Sequence, residues 1–158
     1  MTGQNDKALP LAPRSAARVA AVQALYQMDL AGTDLNDVIA EFMSLRFGPD
    51  AEDRTLADAD QTFFADIVKG VMRRQREIDP IIDQQLAEGW RLTRIDSILR
   101  AVLRAGVVEL MERTDVPVRV VISEYIKAAQ AFLSDDDGKV VNGVLDKLAR
   151  KLRSGELG

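Results

Sequence analysis

The chain has 158 residues, of which 47% are hydrophobic, and it carries a formal net charge of −4 with neither cysteine nor histidine. Those two absences exclude thiol nucleophiles, histidine bases and metal sites built from thiolate or imidazole ligands. An acidic chain does not coat nucleic acid through an overall positive field, so any nucleic-acid contact has to be local.

Apolar residues recur at helical spacing along most of the chain. Residues 1–13 lack this periodicity and are predicted to form a flexible tail. A first helix is predicted over residues 14–31, with Gly32 as its stop. The hydroxyl of Thr33 is expected to cap a second helix, which ends before Gly48.

Proline divides the middle of the chain. A third helix is predicted over residues 63–77, in which Gly70 permits close packing of a neighbouring helix. Because Pro80 lacks a backbone N–H and clashes with the preceding turn, the sequence predicts a boundary at Asp79 and a separate short helix beyond it. A connection then begins at Gly89.

The most regular apolar pattern covers residues 95–111 and predicts a central core helix. Pro117 suits the first turn of the next helix, which is expected to end at an acidic loop over residues 134–138. A last helix is predicted over residues 139–153. The side chains of the Pro117 helix that are predicted to face inward are Val120, Val121, Tyr125, Ala128 and Phe132.

This series of elements predicts an all-α fold of about seven helices. The helices are expected to pack as two small bundles over about residues 14–88 and 89–153, followed by a short tail over residues 154–158. The first thirty residues lack an apolar run followed by a small-residue cleavage site, so no signal peptide is expected, and no later apolar run reaches the length of about 18 residues that spans a membrane. A soluble cytoplasmic protein is therefore expected.

Helix-like spacing places two arginines and a tyrosine on one stripe of the first helix. Arg14, Arg18, Val22 and Tyr26 are four residues apart and separate from the alanine-rich face that is expected to pack inward. Such a surface suits single-stranded RNA, because arginine neutralises phosphates and an exposed ring stacks on an unpaired base. The alternative is a solvated helix face with Tyr26 partly in the core.

The acidic run before the last helix resembles part of a calcium loop. The residues that follow it lack the alternating ligands and the closing glutamate that such a loop needs, so helix capping by one of the acids is favoured. Lys139 follows no phosphate-loop spacing and is instead a candidate contact to an RNA phosphate. No catalytic, metal or cofactor site is predicted.

Several short motifs resemble the NusB family. The sequence AVQALY at residues 21–26 is similar to the family's opening helix, and VNGVLDK at residues 141–147 is similar to its closing signature. Between them, AVLR at residues 101–104, DVP at 115–117 and ISE at 122–124 follow in the family's order. The resemblance covers roughly residues 14–153.

The resemblance implies a non-enzymatic, all-helical antitermination factor without a cofactor. It would bind the boxA element of nascent ribosomal RNA together with the ribosomal protein NusE, in an elongation complex with other Nus factors. This activity would support complete transcription of ribosomal RNA operons, and it involves no membrane.

The resemblance also implies particular contact residues. Arg14, Arg18 and Tyr26 match the RNA-facing part of the opening helix, and a second RNA-facing segment contains Asp136, Lys139 and Val140. The arginines that point away from the central apolar stripe are expected near the NusE surface, although a plain solvated face is an equal alternative. These arginines are Arg94, Arg100 and Arg104.

Two other functions remain open at this point. A NusB-like module also precedes the catalytic domain in some RNA methyltransferases, so the chain could be an accessory RNA-binding module of an RNA-modifying enzyme, although no catalytic domain follows here. A protein-only helical scaffold is the second alternative. The acidic charge favours it, as does Val140, which stands where family members often carry an aromatic residue that can stack on a base.

Overall fold

The computed structural model describes residues 9–157, and the described residues form seven α-helices and no strand. The predicted all-α class is therefore confirmed. The first eight residues of the predicted tail lie outside the described residues. None of the described helices is long and apolar enough to cross a lipid bilayer. The helices are α1 (Pro13–Ala31), α2 (Leu35–Glu41), α3 (Gln61–Gln85), α4 (Ser97–Glu112), α5 (Val118–Gln130), α6 (Asp135–Leu152) and α7 (Ser154–Leu157).

The first two helices are separated by a short turn that differs from the prediction in its cap. Gly32 ends α1 with a φ of 69°, a left-handed conformation that glycine adopts without strain. The cap of α2 is Asp34 rather than Thr33, because the Asp34 carboxylate accepts a hydrogen bond from the Asn36 N–H. A π-helical turn, Phe42–Arg46, continues α2.

The helix α3 continues through Pro80, so the predicted boundary at Asp79 is wrong. Proline inside a helix costs about 3 kcal/mol or more, and tertiary contacts of the surrounding turns offset this cost. Ile78 and Ile82 on either side of Pro80 are both fully buried. The Asp79 carboxylate accepts two hydrogen bonds from Arg104, at 2.9 and 2.8 Å, which tie this turn to α4.

The last long helix begins at Asp135, four residues before the predicted start. Ser134 and Asp137 form a capping box, in which each side chain accepts from the backbone of the other. The acids predicted to lie in a loop therefore occupy the first helical turn, where negative charge is favourable.

The described chain divides into two compact units. The first unit runs up to Val68 and the second begins at Lys69, within α3, whereas the sequence predicts a division near Gly89. In the first unit, three phenylalanine rings pack together with centroids 5.1–6.2 Å apart. These rings belong to Phe42, Phe47 and Phe64.

In the second unit, α4 is the central core helix, as predicted. Its positions from Ala105 to Leu110 are all buried. A Cβ at Gly70 would lie 2.7 Å from Val108, so the absence of a side chain allows α3 to approach α4 closely. The predicted role of Gly70 in close packing is thus confirmed.

The inward face of α5 follows the prediction only in part. Val121, Tyr125 and Ala128 are buried, whereas Val120 is 41% exposed and Phe132 is 37% exposed. Val120 lies one residue, or about 100° of helical rotation, away from the buried stripe. Phe132 lies beyond the helix end, where the helical spacing no longer applies.

Arg153 and Glu156 connect the described C-terminal residues to the α4–α5 corner. The Arg153 guanidinium is buried and donates to the carbonyls of Glu109, Leu110, Arg113 and Val116 at the α4–α5 corner. In α7, the Glu156 carboxylate accepts from the Val118 N–H at 2.8 Å and from Arg153 at 3.1 Å. These two hydrogen bonds lower the pKa of Glu156 below its ordinary value.

The described end of the predicted N-terminal tail is also held in place. The Leu11 N–H donates to the Thr55 carbonyl at 3.0 Å, and the Pro13 carbonyl accepts from the Asp60 N–H at 2.9 Å. These backbone hydrogen bonds connect non-neighbouring residues, which the helical periodicity of the sequence does not reveal.

Candidate nucleic-acid interface

The two arginines predicted to contact RNA on α1 share one aromatic ring. The guanidinium carbons of Arg14 and Arg18 lie 4.6 and 5.0 Å from the centroid of Phe63, at the start of α3. A guanidinium over a ring is attracted by the ring's negative face, and Phe63 itself is fixed because it is 2% exposed. The ring therefore holds both cations at one end of α1.

The predicted stripe is less exposed than the sequence suggests. Arg18 is only 4% exposed and Val22 only 1%, while Arg14 and Tyr26 are half-buried. The expectation that this whole stripe faces solvent is wrong, because its middle residues, Arg18 and Val22, are buried. Sequence periodicity identifies the shared face of α1 but does not show that a distant phenylalanine packs against it.

The cation–π contact fixes where each guanidinium carbon lies relative to the Phe63 ring. A planar guanidinium matches a phosphate through two parallel hydrogen bonds, so arginine is the residue type suited to this ligand. The two arginines differ in charge from their surroundings, since residues 1–68 contain five basic and eleven acidic residues. Arg14 and Arg18 are thus cations in an otherwise acidic unit.

The second predicted RNA segment lies in the first turns of α6. The side chains of Asp136 and Lys139 are 94% and 83% exposed, and their charged atoms are 3.9 Å apart. Such an exposed pair contributes little stability, so Lys139 can exchange Asp136 for a phosphate at low cost. Val140 is half-buried and offers an aliphatic contact in place of a stacking ring.

Two of the three arginines predicted to face a partner are engaged inside the second unit. Arg104 is held by the paired hydrogen bonds to Asp79, and its side chain is 11% exposed. Arg100 donates to the Leu92 carbonyl at 3.0 Å and to Ser97 at 3.2 Å. Of the three, only Arg94 is exposed, so the expectation that all three point outward is wrong.

Arg94 lies in a groove that the sequence reasoning did not find. The groove has a volume of about 320 Å³ and brings Trp90, Arg94 and Leu99 together with Asp137 of the α6 cap. Trp90 is 45% exposed. An exposed tryptophan next to arginine is typical of interface centres. The Gly-Trp-Arg sequence at residues 89–91, after α3, is the feature of the sequence that could indicate this groove.

The described residues contain no cluster of three or more histidine, cysteine, aspartate or glutamate residues placed to hold a metal ion. The two segments offer the cations of Arg14, Arg18 and Lys139 and the half-buried ring of Tyr26.

Comparisons with known proteins identify relatives along most of the chain. The family model described as the NusB family matches residues 15–150. A protein of Bradyrhizobium diazoefficiens, named transcription antitermination protein NusB, is 53% identical over 145 residues, covering 92% of this chain and 88% of that protein.

Solved structures agree with the sequence comparison. NusB of T. maritima matches with a TM-score of 0.77 and 27% identity, covering 93% of this chain and 98% of the other. A chain from a crystal structure described as that of a plectonemic RNA supercoil matches with a TM-score of 0.72 and 25% identity, covering 87% of this chain and 94% of the other.

Proposed function

The chain belongs to the NusB family of transcription antitermination proteins, and we propose that it acts by binding the boxA element of nascent ribosomal RNA together with ribosomal protein NusE. It does so in the cytoplasm, within an elongation complex that contains other Nus factors. The protein works by binding alone and catalyses no reaction, in keeping with the absence of cysteine, histidine and any recognisable catalytic motif.

The pair of arginines on the Phe63 ring is the observation that carries this proposal. Arg14 is the more accessible of the two and makes the principal phosphate contact, while Arg18 contributes through the small part of its surface that solvent reaches. Tyr26 stacks on a base through the accessible part of its ring. In the second unit, Lys139 contacts phosphate, and Asp136 and Val140 border the RNA.

NusE supplies the surface that an acidic protein lacks. In this proposal NusE docks at the groove lined by Trp90, Arg94, Leu99 and Asp137, and Asp137 is the sequence neighbour of the RNA residue Asp136. Arg100 and Arg104 support this surface from within, because they fix the start and the middle of α4. Affinity for RNA is therefore expected to be modest without NusE.

The direct test is fluorescence anisotropy with a labelled boxA RNA and a scrambled RNA of equal length, at one fixed salt concentration. Selective binding of boxA that strengthens on addition of NusE is the expected result. Equal, weak binding of both RNAs, with or without NusE, contradicts the proposal and favours the protein-only scaffold.

Single substitutions assign the roles. Arg14→Ala and Lys139→Ala are each expected to weaken boxA binding and to reduce the salt slope by about 1, as for a lost phosphate contact. Tyr26→Ala is expected to cost about 1 to 3 kcal/mol of binding through lost stacking. Lys151→Ala is the matched control, because it removes an exposed cation from α6 about three turns beyond Lys139.

Folded variants that bind boxA as the wild type does would refute these roles. Circular dichroism and thermal unfolding of each variant establish that the helices are retained before binding is compared. A salt slope that falls equally for Lys151→Ala would show that only overall charge matters.

A further inference from the structure

A second groove, outside the residues assigned so far, runs between α5 and α6. It has a volume of about 500 Å³. Ile122 and Ile126 contribute its apolar part and are half-buried. The polar side chains that line it are Arg119, Ser123, Lys127, Gln130, Asn142 and Asp146.

The polar lining of this groove consists mainly of hydrogen-bond donors. Arg119 and Lys127 are exposed cations on the same side of α5, two helical turns apart. Gln130 and Asn142 carry amides, which donate and accept and can pair with the edges of unpaired bases. This mixture of cations and amides suits a single-stranded nucleic acid.

The acids near the groove are already paired. Asp146 accepts from Arg150 at 3.2 Å, and Glu124, the neighbour of the groove on α5, lies 3.7 Å from Lys127. The second unit as a whole contains sixteen basic and fourteen acidic residues, in contrast to the acidic first unit. A polyanion therefore meets a weakly positive unit, in which Asp146 is paired with Arg150 and the exposed Lys127 can exchange Glu124 for a phosphate at low cost.

The groove begins where the proposed RNA contact on α6 ends. Asn142 follows Lys139 by three residues, so the two side chains are neighbours on the helix surface. A Cβ at Gly138 would lie 3.8 Å from Ile126, which places the first turn of α6 directly against the α5 wall of the groove. A strand that contacts Lys139 is thus led into the groove at Asn142.

A docked protein helix fits these observations less well. Helix-in-groove recognition uses a row of apolar anchors at helical spacing, whereas only two half-buried isoleucines are offered here. The cations and amides along both walls would face the polar side of such a helix and add little to its affinity.

We propose that the groove between α5 and α6 binds the single-stranded RNA adjoining boxA, so that the bound RNA is longer than boxA itself. This inference rests on the proposed function, because Lys139 passes the strand to the groove. Arg119 and Lys127 contact phosphates, and Asn142 and Gln130 contact bases.

The test compares a boxA RNA with versions extended by natural sequence upstream or downstream, in the complex with NusE. One extension is expected to increase the affinity of the wild type, and the double variant Arg119→Ala/Asn142→Ala is expected to lose that gain. Loss of the Arg119 cation alone is expected to weaken binding of the extended RNA roughly twofold to fivefold, the scale of an exposed charge contact. The double variant is expected to bind the unextended boxA RNA as the wild type does. The control Lys151→Ala is expected to keep the increase in affinity that the extension provides.

A cross-linking arm locates the RNA. A photoreactive uridine in the extension is expected to cross-link to peptides of residues 119–130 or 142–146, which mass spectrometry identifies. Cross-links confined to other peptides, no gain from either extension, or a gain that survives in the double variant would each overturn the inference. Weaker NusE binding by the variant, with unchanged RNA binding, would overturn it in favour of a protein occupant.

The two proposals fail in different ways. If the wild type discriminates boxA from scrambled RNA but gains nothing from the extensions, the groove inference alone is wrong. If the wild type does not discriminate boxA at all, the proposed function is wrong and the inference falls with it.

Discussion

The two units of the protein hold their arginines differently. In the first unit, Arg14, Arg18 and Arg46 have guanidinium carbons within 4.6 to 5.0 Å of phenylalanine ring centroids, and Arg46 also donates to Glu41 at 3.2 Å. In the second unit, Arg104 and Arg153 direct their N–H groups to carboxylates and backbone carbonyls inside the unit.

This difference separates positioning from structural support. A ring attracts the guanidinium without being a hydrogen-bond acceptor in its plane, whereas the buried carbonyls around Arg153 accept from all of its guanidinium nitrogens. The ring contact fixes the position of a cation, and the carbonyl contacts stabilise the fold. The same residue type therefore serves different roles in the two units.

The strongest test of structural support is Arg153→Ala. Removing this buried guanidinium takes a hydrogen bond from four carbonyls at the α4–α5 corner and from Glu156, which keeps its hydrogen bond from the Val118 N–H. The carbonyls of Glu109 and Arg113 keep a backbone donor, whereas those of Leu110 and Val116 lose the buried guanidinium, so a loss of about 3 to 5 kcal/mol in the free energy of unfolding is expected. Urea denaturation measures it. Lys151→Ala, an exposed neighbour, is expected to change stability by less than about 0.5 kcal/mol, and an equally small effect of Arg153→Ala would contradict the assigned role.

The Arg104–Asp79 pair provides the next test, because it holds α3 together across Pro80. The coupling energy between Arg104→Ala and Asp79→Ala is expected to be about 1.5 to 3 kcal/mol, the scale of hydrogen bonds to charged groups. A double-mutant cycle from denaturation data measures it. A coupling near zero would show that burial of Ile78 and Ile82 alone keeps the helix continuous.

The same proline shows where the sequence is informative and where it is not. Apolar spacing predicts α1 and α4 well, because each buries one continuous face in the core. The pattern does not reveal that Arg104 reaches Asp79, a contact between residues 25 positions apart, and so it predicts a false break at Pro80. Local rules fail where a long-range contact outweighs them.

The candidate site follows the same rule. The spacing of Arg14 and Arg18 identifies their common face, and the family resemblance suggests RNA as the ligand. The burial of Arg18 depends on Phe63, which is far away in sequence, and the groove at Trp90 depends on how the loop after α3 meets the cap of α6. Neither arrangement is encoded in a local pattern.

Phe63→Leu tests whether the ring positions the two arginines. Leucine retains most of the apolar volume, so stability is expected to fall by less than about 1.5 kcal/mol. Loss of the ring face is expected to weaken boxA binding, because Arg14 and Arg18 are no longer oriented. Anisotropy titration measures this, with Phe47→Leu as a control for a buried ring in the same unit. Equal effects of both substitutions on RNA would contradict a specific role for Phe63.

The smallest expected effect concerns Glu112. Its carboxylate binds Arg73 and Arg74, so it shows how much stability an arginine of the second unit gains from a partly exposed ion pair. Burial raises the pKa of Glu112, but hydrogen bonds from Arg73 and Arg74 outweigh this and lower it below its ordinary value. The stabilisation is therefore present at neutral pH and is lost as the pH falls through the lowered pKa, below the usual value of about 4.3.

Glu112→Gln removes this pH-dependent part of the stability. The variant is expected to be less stable than the wild type at neutral pH by up to about 1 kcal/mol, because both arginines are partly exposed, and the difference is expected to shrink on acidification. Urea denaturation at a series of pH values measures both effects. A difference that stays constant down to pH values at which Glu112 is protonated would show that its packing matters rather than its charge. In that case the ion pairs of Arg73 and Arg74 with Glu112 would contribute little to the stability of the second unit, despite their short distances.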